Sequence, residues 1–228
     1  MKKWLNYIKL FWYFASNWNP VLAVFILSNE IKGEDKYGID TSPPIELPDL
    51  TVVDGDISQS SRYEAVNYFI LEALLKRLCE VTAPLSFTDL GCGKGRAMVV
   101  AAHYGFTKIS GVDFAKEVCN TAEQNMQKVR KKFPHTTYNV TCENVLDYEI
   151  QSYESVFFMF NPFNDEIIFR FLEKIEKSIE QHPRDIYFLY VSPKHIETFF
   201  EFEYEPIFRK RKLKWLDGVI LKKAIITS

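Results

Sequence analysis

Cysteine, histidine and glycine are all scarce in this chain of 228 residues, and each scarcity removes an explanation. Cys79, Cys92, Cys119 and Cys142 stand far apart, with no C-x-x-C pair and no histidine at ligand spacing, which argues against a zinc site and a disulfide framework. No metal is expected. Reduced thiols point to a cytoplasmic protein. The four histidines, His103, His135, His182 and His195, form no nucleophile-base arrangement with a serine. Charge of neither sign dominates: 28 basic against 30 acidic side chains leave a formal −2, with no global pull toward nucleic acid or anionic lipid. Nucleic acid is therefore not an expected partner. Repeats and low-complexity tracts are missing, and no run of about 20 unbroken apolar residues offers a membrane span. What remains, 47% hydrophobic and 25% charged residues, is ordinary for a folded domain with one large core.

Glycine is scarce but not scattered. Three of the nine fall within five residues of Ser86-Phe87-Thr88-Asp89-Leu90-Gly91-Cys92-Gly93-Lys94-Gly95, which leads into Arg96 and the apolar run Ala97–Ala102. A short apolar stretch, an acid, alternating glycines and then a helical pattern read as strand, tight loop and helix. Without a Cβ the backbone turns sharply there and lets a ligand lie against its N–H groups. A dinucleotide fingerprint would need glycine where Arg96 stands, and a phosphate loop would need Ser or Thr where Gly95 stands. A second strand, Lys108-Ile109-Ser110-Gly111-Val112-Asp113, ends in a carboxylate about 20 residues on, where an acid can bond both hydroxyls of a ribose.

Asp89-x-Gly91-x-Gly93-x-Gly95 followed by Asp113 resembles the first two motifs of class I S-adenosylmethionine-dependent methyltransferases. The resemblance covers residues 60–228. It implies an α/β fold with a three-layer Rossmann-like sheet, mostly parallel and closed by a C-terminal antiparallel hairpin, with S-adenosyl-L-methionine as cofactor. It assigns cofactor contacts to Asp89, Gly91, Cys92, Gly93, Gly95, Arg96, Asp113 and Phe114. The acid-alanine pair that contacts adenine in the family falls on Asn144-Val145, so Glu143, Asn144 and Asp147 compete for that contact. Asn161-Pro162-Phe163 resembles the Asn/Asp-Pro-Pro-aromatic motif of amino-group methyltransferases with one proline missing, and Tyr63 resembles the tyrosine ahead of the first strand in some lysine-directed members. His195, past the fifth strand, is the candidate base for a hydroxyl acceptor.

The rest of the chain fits that order. The first 28 residues hold three of the four tryptophans together with Lys2, Lys3 and Lys9, and read as two short helices: a lid or partner contact first, an interfacial membrane helix second. Residues 30–61, with Gly33, Gly38, Pro43-Pro44, Pro48 and Gly55, read as a linker; Tyr37–Thr41 and Asp54-Gly55-Asp56 are segments to be ordered over bound ligands. A helix is expected from a cap at Ser60 or Ser61, with Glu64 in the reciprocal position. Helices at 96–104, 117–132 and 165–181 alternate with strands at 136–142, 155–160 and 186–191, which implies parallel pairing with right-handed crossovers. Tyr204–Arg211 and Val219–Ile226 read as a hairpin turning at Asp217-Gly218, and Arg209, Lys210, Arg211, Lys212 and Lys214 beside it as a solvated strand pair. The expected division is an N-terminal aromatic segment and loop, 1–59, and a catalytic domain, 60–228. Methyl transfer to a nitrogen, or to an oxygen, of a protein or small molecule is the first reading. A cofactor-binding domain without transfer activity, recruiting a protein or membrane through its N-terminus, is the second. A nucleotide-sugar or NAD enzyme is the third, disfavoured by Arg96.

Overall fold

A computed structural model describes residues 2–42, 64–83 and 85–225. Two helices come first, α1 (Lys2–Asn17) and α2 (Pro20–Tyr37), packed against each other. The break between them is built locally: the Asn19 side chain accepts from the Leu22 amide at 2.8 Å and Pro20 takes the first helical position. Gly38, at φ 69°, closes α2 in the left-handed conformation.

After α3 (Tyr68–Cys79), strands and helices alternate: β1 (Ser86–Leu90), α4 (Arg96–His103), β2 (Lys108–Asp113), α5 (Lys116–Lys132), β3 (Thr137–Cys142), β4 (Val156–Phe160), α6 (Asp165–Gln181) and β5 (Ile186–Val191). A short α7 (Ile196–Glu201) leads into the hairpin β6 (Glu205–Lys212) and β7 (Leu216–Lys223). The sheet order is β3-β2-β1-β4-β5-β7-β6. Its first five strands are parallel, while β7 runs antiparallel to β5 and β6 antiparallel to β7. The expected α/β class, mostly parallel with a closing hairpin, is the observed one.

The apolar run of β4 is explained by burial on both faces. Phe158 joins a core with α3, α4 and α5, whereas Phe157 and Met159 join a second core with α6 and α7. Three layers result. α6 begins where Asn164 accepts from the Ile167 amide at 3.0 Å, and Asp165 and Glu166 complement its N-terminal dipole.

Several expectations are corrected. The stretch from Glu30 to Tyr37 is the second half of α2 rather than linker, because Gly33 marks contact: a Cβ there would run into the Tyr68 ring. α3 starts at Tyr68, capped by Asn67, whose side chain accepts from the Phe69 amide at 3.0 Å, so no capping box is built with Glu64. Ser60, Ser61, Tyr63 and Asp54-Gly55-Asp56 lie outside the described residues. Ile39 and Thr41 are buried against the protein itself, Thr41 accepting from Arg96 at 2.7 Å. Asp217-Gly218 sits within β7, and the turn falls at Leu213 and Lys214, both at positive φ (51° and 62°). Gly218 is where α3 crosses the strand, since a Cβ would come within 2.6 Å of Ile70 Cγ2.

Candidate active site

The carboxyl ends of the parallel strands meet at one crevice, as ligand sites in open α/β sheets do. The loop after β1 is fastened to β2: the Gly91 and Cys92 amides both donate to the Val112 carbonyl, at 2.9 and 3.0 Å. Gly91, Gly93 and Gly95 have φ of 76°, 51° and 77°, values that other residues reach only with strain. A Cβ on Gly91 would also stand 2.9 Å from Pro162 Cβ, so the loop and the segment after β4 touch. Asp113 links loop and strand, accepting from the Gly93 amide at 2.9 Å through one oxygen and from the Ala115 amide at 3.1 Å through the other.

The cavity has a volume of about 470 Å³, within the usual range for small-molecule sites. Asp89, Gly91, Cys92, Arg96, Asp113 and Phe114 line it, as do Val145 and all of Asn161-Pro162-Phe163. Gly93 and Gly95 shape the loop without lining the cavity. Asn144 is turned into its own backbone, its side chain accepting from the Leu146 amide at 2.9 Å, and Asp147 is exposed; Glu143, from the same loop, is the acid on the wall. His195 does not line the crevice: it holds the position before α7, with its backbone N–H directed at the Tyr190 hydroxyl, 3.3 Å away. The Arg96 side chain is committed elsewhere. It pairs with Glu30 of α2 at 2.7 Å, donates to Thr41 and to the Val66 carbonyl, and lies over the Tyr68 ring, all out of solvent.

Asp89 is buried, and desolvation followed by the nearby Asp113 charge pushes its carboxyl well above the usual range. Burial raises Asp113 too, opposed by hydrogen bonds from the Ala115, Gly93 and Phe114 amides. Desolvation moves Tyr190 up to about 12, so its hydroxyl stays protonated and donates to Asn161 Oδ1 at 3.1 Å. Asn161 (φ 43°) and Ser192 (φ 51°) are non-glycine residues in the left-handed region, at the ends of adjacent strands and both on the cavity wall. Strain of this kind collects at functional sites.

A second cavity of about 310 Å³ adjoins the first. The two share Trp18, Glu64, Ala65, Phe160 and Ser192. Its walls are mainly apolar and aromatic, with Leu10, Tyr13 and Phe14 from α1, Leu22 and Ile26 from α2, and Trp215 from the hairpin. The sequence pattern pointed to neither Glu64 nor Trp18 as a wall residue, nor to Tyr190 as the partner of Asn161. Each depends on a contact between elements far apart in the chain.

A glycine loop after β1, a carboxylate closing β2 and a seven-stranded sheet of this order make up the Rossmann-like methyltransferase fold. Residues 87–181, from β1 to the end of α6, match the family model described as a methyltransferase domain. Among curated protein sequences there is no match. The fold is shared with the ribosomal protein L11 methylase of Lactobacillus delbrueckii subsp. bulgaricus (13% identity, 69% of this chain and 78% of that one, TM-score 0.51). It is shared with a SAM-dependent O-methyltransferase of Thermotoga maritima (16%, 73% and 69%, 0.52). A third neighbour is the tRNA (uracil-54, C5)-methyltransferase of Pyrococcus abyssi, in complex with S-adenosyl-L-homocysteine (11%, 80% and 44%, 0.50). With an RNA enzyme among these neighbours, the expectation that nucleic acid is no partner draws no support from the comparison. The chain thus carries a methyltransferase domain on the fold that S-adenosylmethionine-dependent methyltransferases share.

Proposed function

We propose that the protein transfers the methyl group to a nitrogen acceptor held in the aromatic cavity beside the cofactor crevice. The crevice suits the cofactor: glycine amides for its amino-acid end, Asp113 for its ribose hydroxyls, and Phe114 and Val145 flanking its base, with Glu143 on the same wall. Bound there, the cofactor supplies an activated methyl group and an excellent leaving group. The chain's own residues then have to orient the acceptor and exclude water.

The carrying observation is a pair of polar groups on the crevice wall, Asn161 in the crevice itself and Glu64 on the wall common to both cavities. Asn161 Oδ1 and the Glu64 carboxylate are hydrogen-bond acceptors, suited to N–H groups, while His195, the imidazole proposed as a base for a hydroxyl, is off the wall. Tyr190 fixes the Asn161 amide so that its oxygen lies toward the tyrosine, leaving a second lone pair for an acceptor N–H. Phe163 lines the same wall and can stack on a planar or cationic group.

The test is the chemical stability of the product. Labelled methyl groups transferred from the cofactor should survive mild alkali, as N-methyl bonds do, and release of the label as methanol would mark a carboxylate acceptor and end the nitrogen reading. Asn161→Ala should cut turnover by about 10- to 100-fold, the range of a lost positioning contact, while S-adenosylhomocysteine binding measured by calorimetry stays unchanged.

A further inference from the structure

α1 is apolar on two opposite sides. Tyr7, Leu10 and Phe14 face inward, Tyr7 being buried and the other two lining the second cavity. On the other side Trp4, Leu5, Ile8 and Trp12 form a stripe at helical spacing, exposed by 67, 54, 53 and 65%. The start of α2 continues the exposure with Val21 and Val24. Trp18, on the wall of both cavities, meets the exposed Trp215 of the β6–β7 turn at 6.2 Å between ring centroids. All four tryptophans of the chain thus lie in α1, in the turn after it, or in the hairpin turn touching that turn.

The α1 sequence carries charge of one sign. The α1 sequence contains Lys2, Lys3 and Lys9 and no acid, in a chain whose total is −2. Beside Trp215, Lys212 and Lys214 are exposed, and Lys212 lies over the Phe25 ring of α2 at 5.8 Å, tying the hairpin to the same surface. Among the described residues no helix is long and apolar enough to cross a membrane. A short helix with exposed tryptophan and leucine, flanked by lysines, has the make-up of one that lies in the headgroup region and is attracted to anionic lipid.

We propose that the exposed face of α1, extended by Val21, Val24 and Trp215, docks on an anionic phospholipid bilayer. The aromatic cavity then stands beside the membrane, since Trp215 belongs both to its wall and to the docking surface and touches Trp18 on the same wall. An acceptor with an apolar body can enter it from the lipid. This last step rests on the proposed function, whereas docking does not.

The experiment is co-sedimentation of the full chain with phosphatidylcholine vesicles, with and without phosphatidylserine, in parallel with tryptophan emission. Binding should require phosphatidylserine, weaken as salt is raised, and shift the emission to the blue. Trp4→Glu with Ile8→Glu should lower partitioning by about tenfold or more, given the apolar area removed from the contact. Both side chains are exposed and neither is on a cavity wall, so S-adenosylhomocysteine affinity of that variant should be unchanged and would certify its fold. Equal sedimentation with and without phosphatidylserine, or none with either, would overturn the proposal. So would a dimer dissolved by the same two substitutions, or RNA binding that they abolish while vesicle binding persists. Failure of methyl transfer to nitrogen would leave the vesicle result standing.

Discussion

Asp113 and Asp89 place two carboxyls against one loop, and their behaviour with pH follows from burial. Desolvation raises both, and the Asp113 charge raises Asp89 further. A carboxyl whose folded pKa lies above its unfolded one binds the proton more tightly in the folded chain. The free protein therefore loses stability from this pair as pH rises from the unfolded value through the folded one. A ligand carrying a sulfonium and an ammonium reverses the balance by favouring the ionised pair. Affinity for S-adenosylmethionine should accordingly rise with pH from mildly acidic solution and level off once both groups are ionised in the free protein. S-adenosylhomocysteine, lacking the sulfonium, should respond less. Calorimetry across that range would decide, and a flat S-adenosylmethionine profile would contradict the assignment. Asp113→Asn should weaken binding by about 1 to 3 kcal/mol through the lost charged hydrogen bonds.

At the scale of elements, glycine shows which parts of the fold are legible in the sequence. Gly91, Gly93 and Gly95 announce the loop because their role is local, a backbone at positive φ, and the strands around them are marked by apolar runs that end in acids. Asp165–Gln181 and Ile186–Val191 are observed over the residues their patterns indicate. Gly33 and Gly218 mislead, because each is required by a distant partner, the Tyr68 ring and α3 respectively, and in sequence each looks like a turn. The same reason hid the extent of α2 and the true hairpin turn, and kept Glu64 and Trp18 out of the site. Gly218→Ala tests this account. The new methyl group would press on Ile70 and Leu74 in a filled core, and should cost about 1 to 3 kcal/mol in chemical denaturation. Cofactor binding should persist, because the crevice is formed elsewhere. An unchanged denaturation midpoint would show that α3 is free to move away.

For the whole molecule, the question is how the N-terminal helices and the nucleotide crevice come to act as one body. Arg96 is the link: the first residue of the helix that follows the glycine loop, it reaches back to Glu30 of α2 and to Thr41 just past that helix. The pair is out of solvent, and burial raises the Glu30 carboxyl against the opposing pull of the Arg96 charge. A buried ion pair is weak evidence for net stability, yet removing one partner strands the other without compensation. Arg96→Met or Glu30→Leu alone should therefore destabilise the protein by about 3 to 5 kcal/mol, a large part of the roughly 5 to 15 kcal/mol that holds a domain together. The double variant should lose far less than the sum. Denaturation of all three variants closes the cycle, and simple additivity would mean that the two charges do not depend on each other. Hydrogen exchange supplies the second readout, because the link makes α2 and the loop open together. In the intact protein S-adenosylhomocysteine should slow exchange of α2 amides as well as those of the loop, and in the double variant the protection should stop at the loop. Protection of α2 that survives both substitutions would place the coupling in the aromatic cavity instead of in this pair.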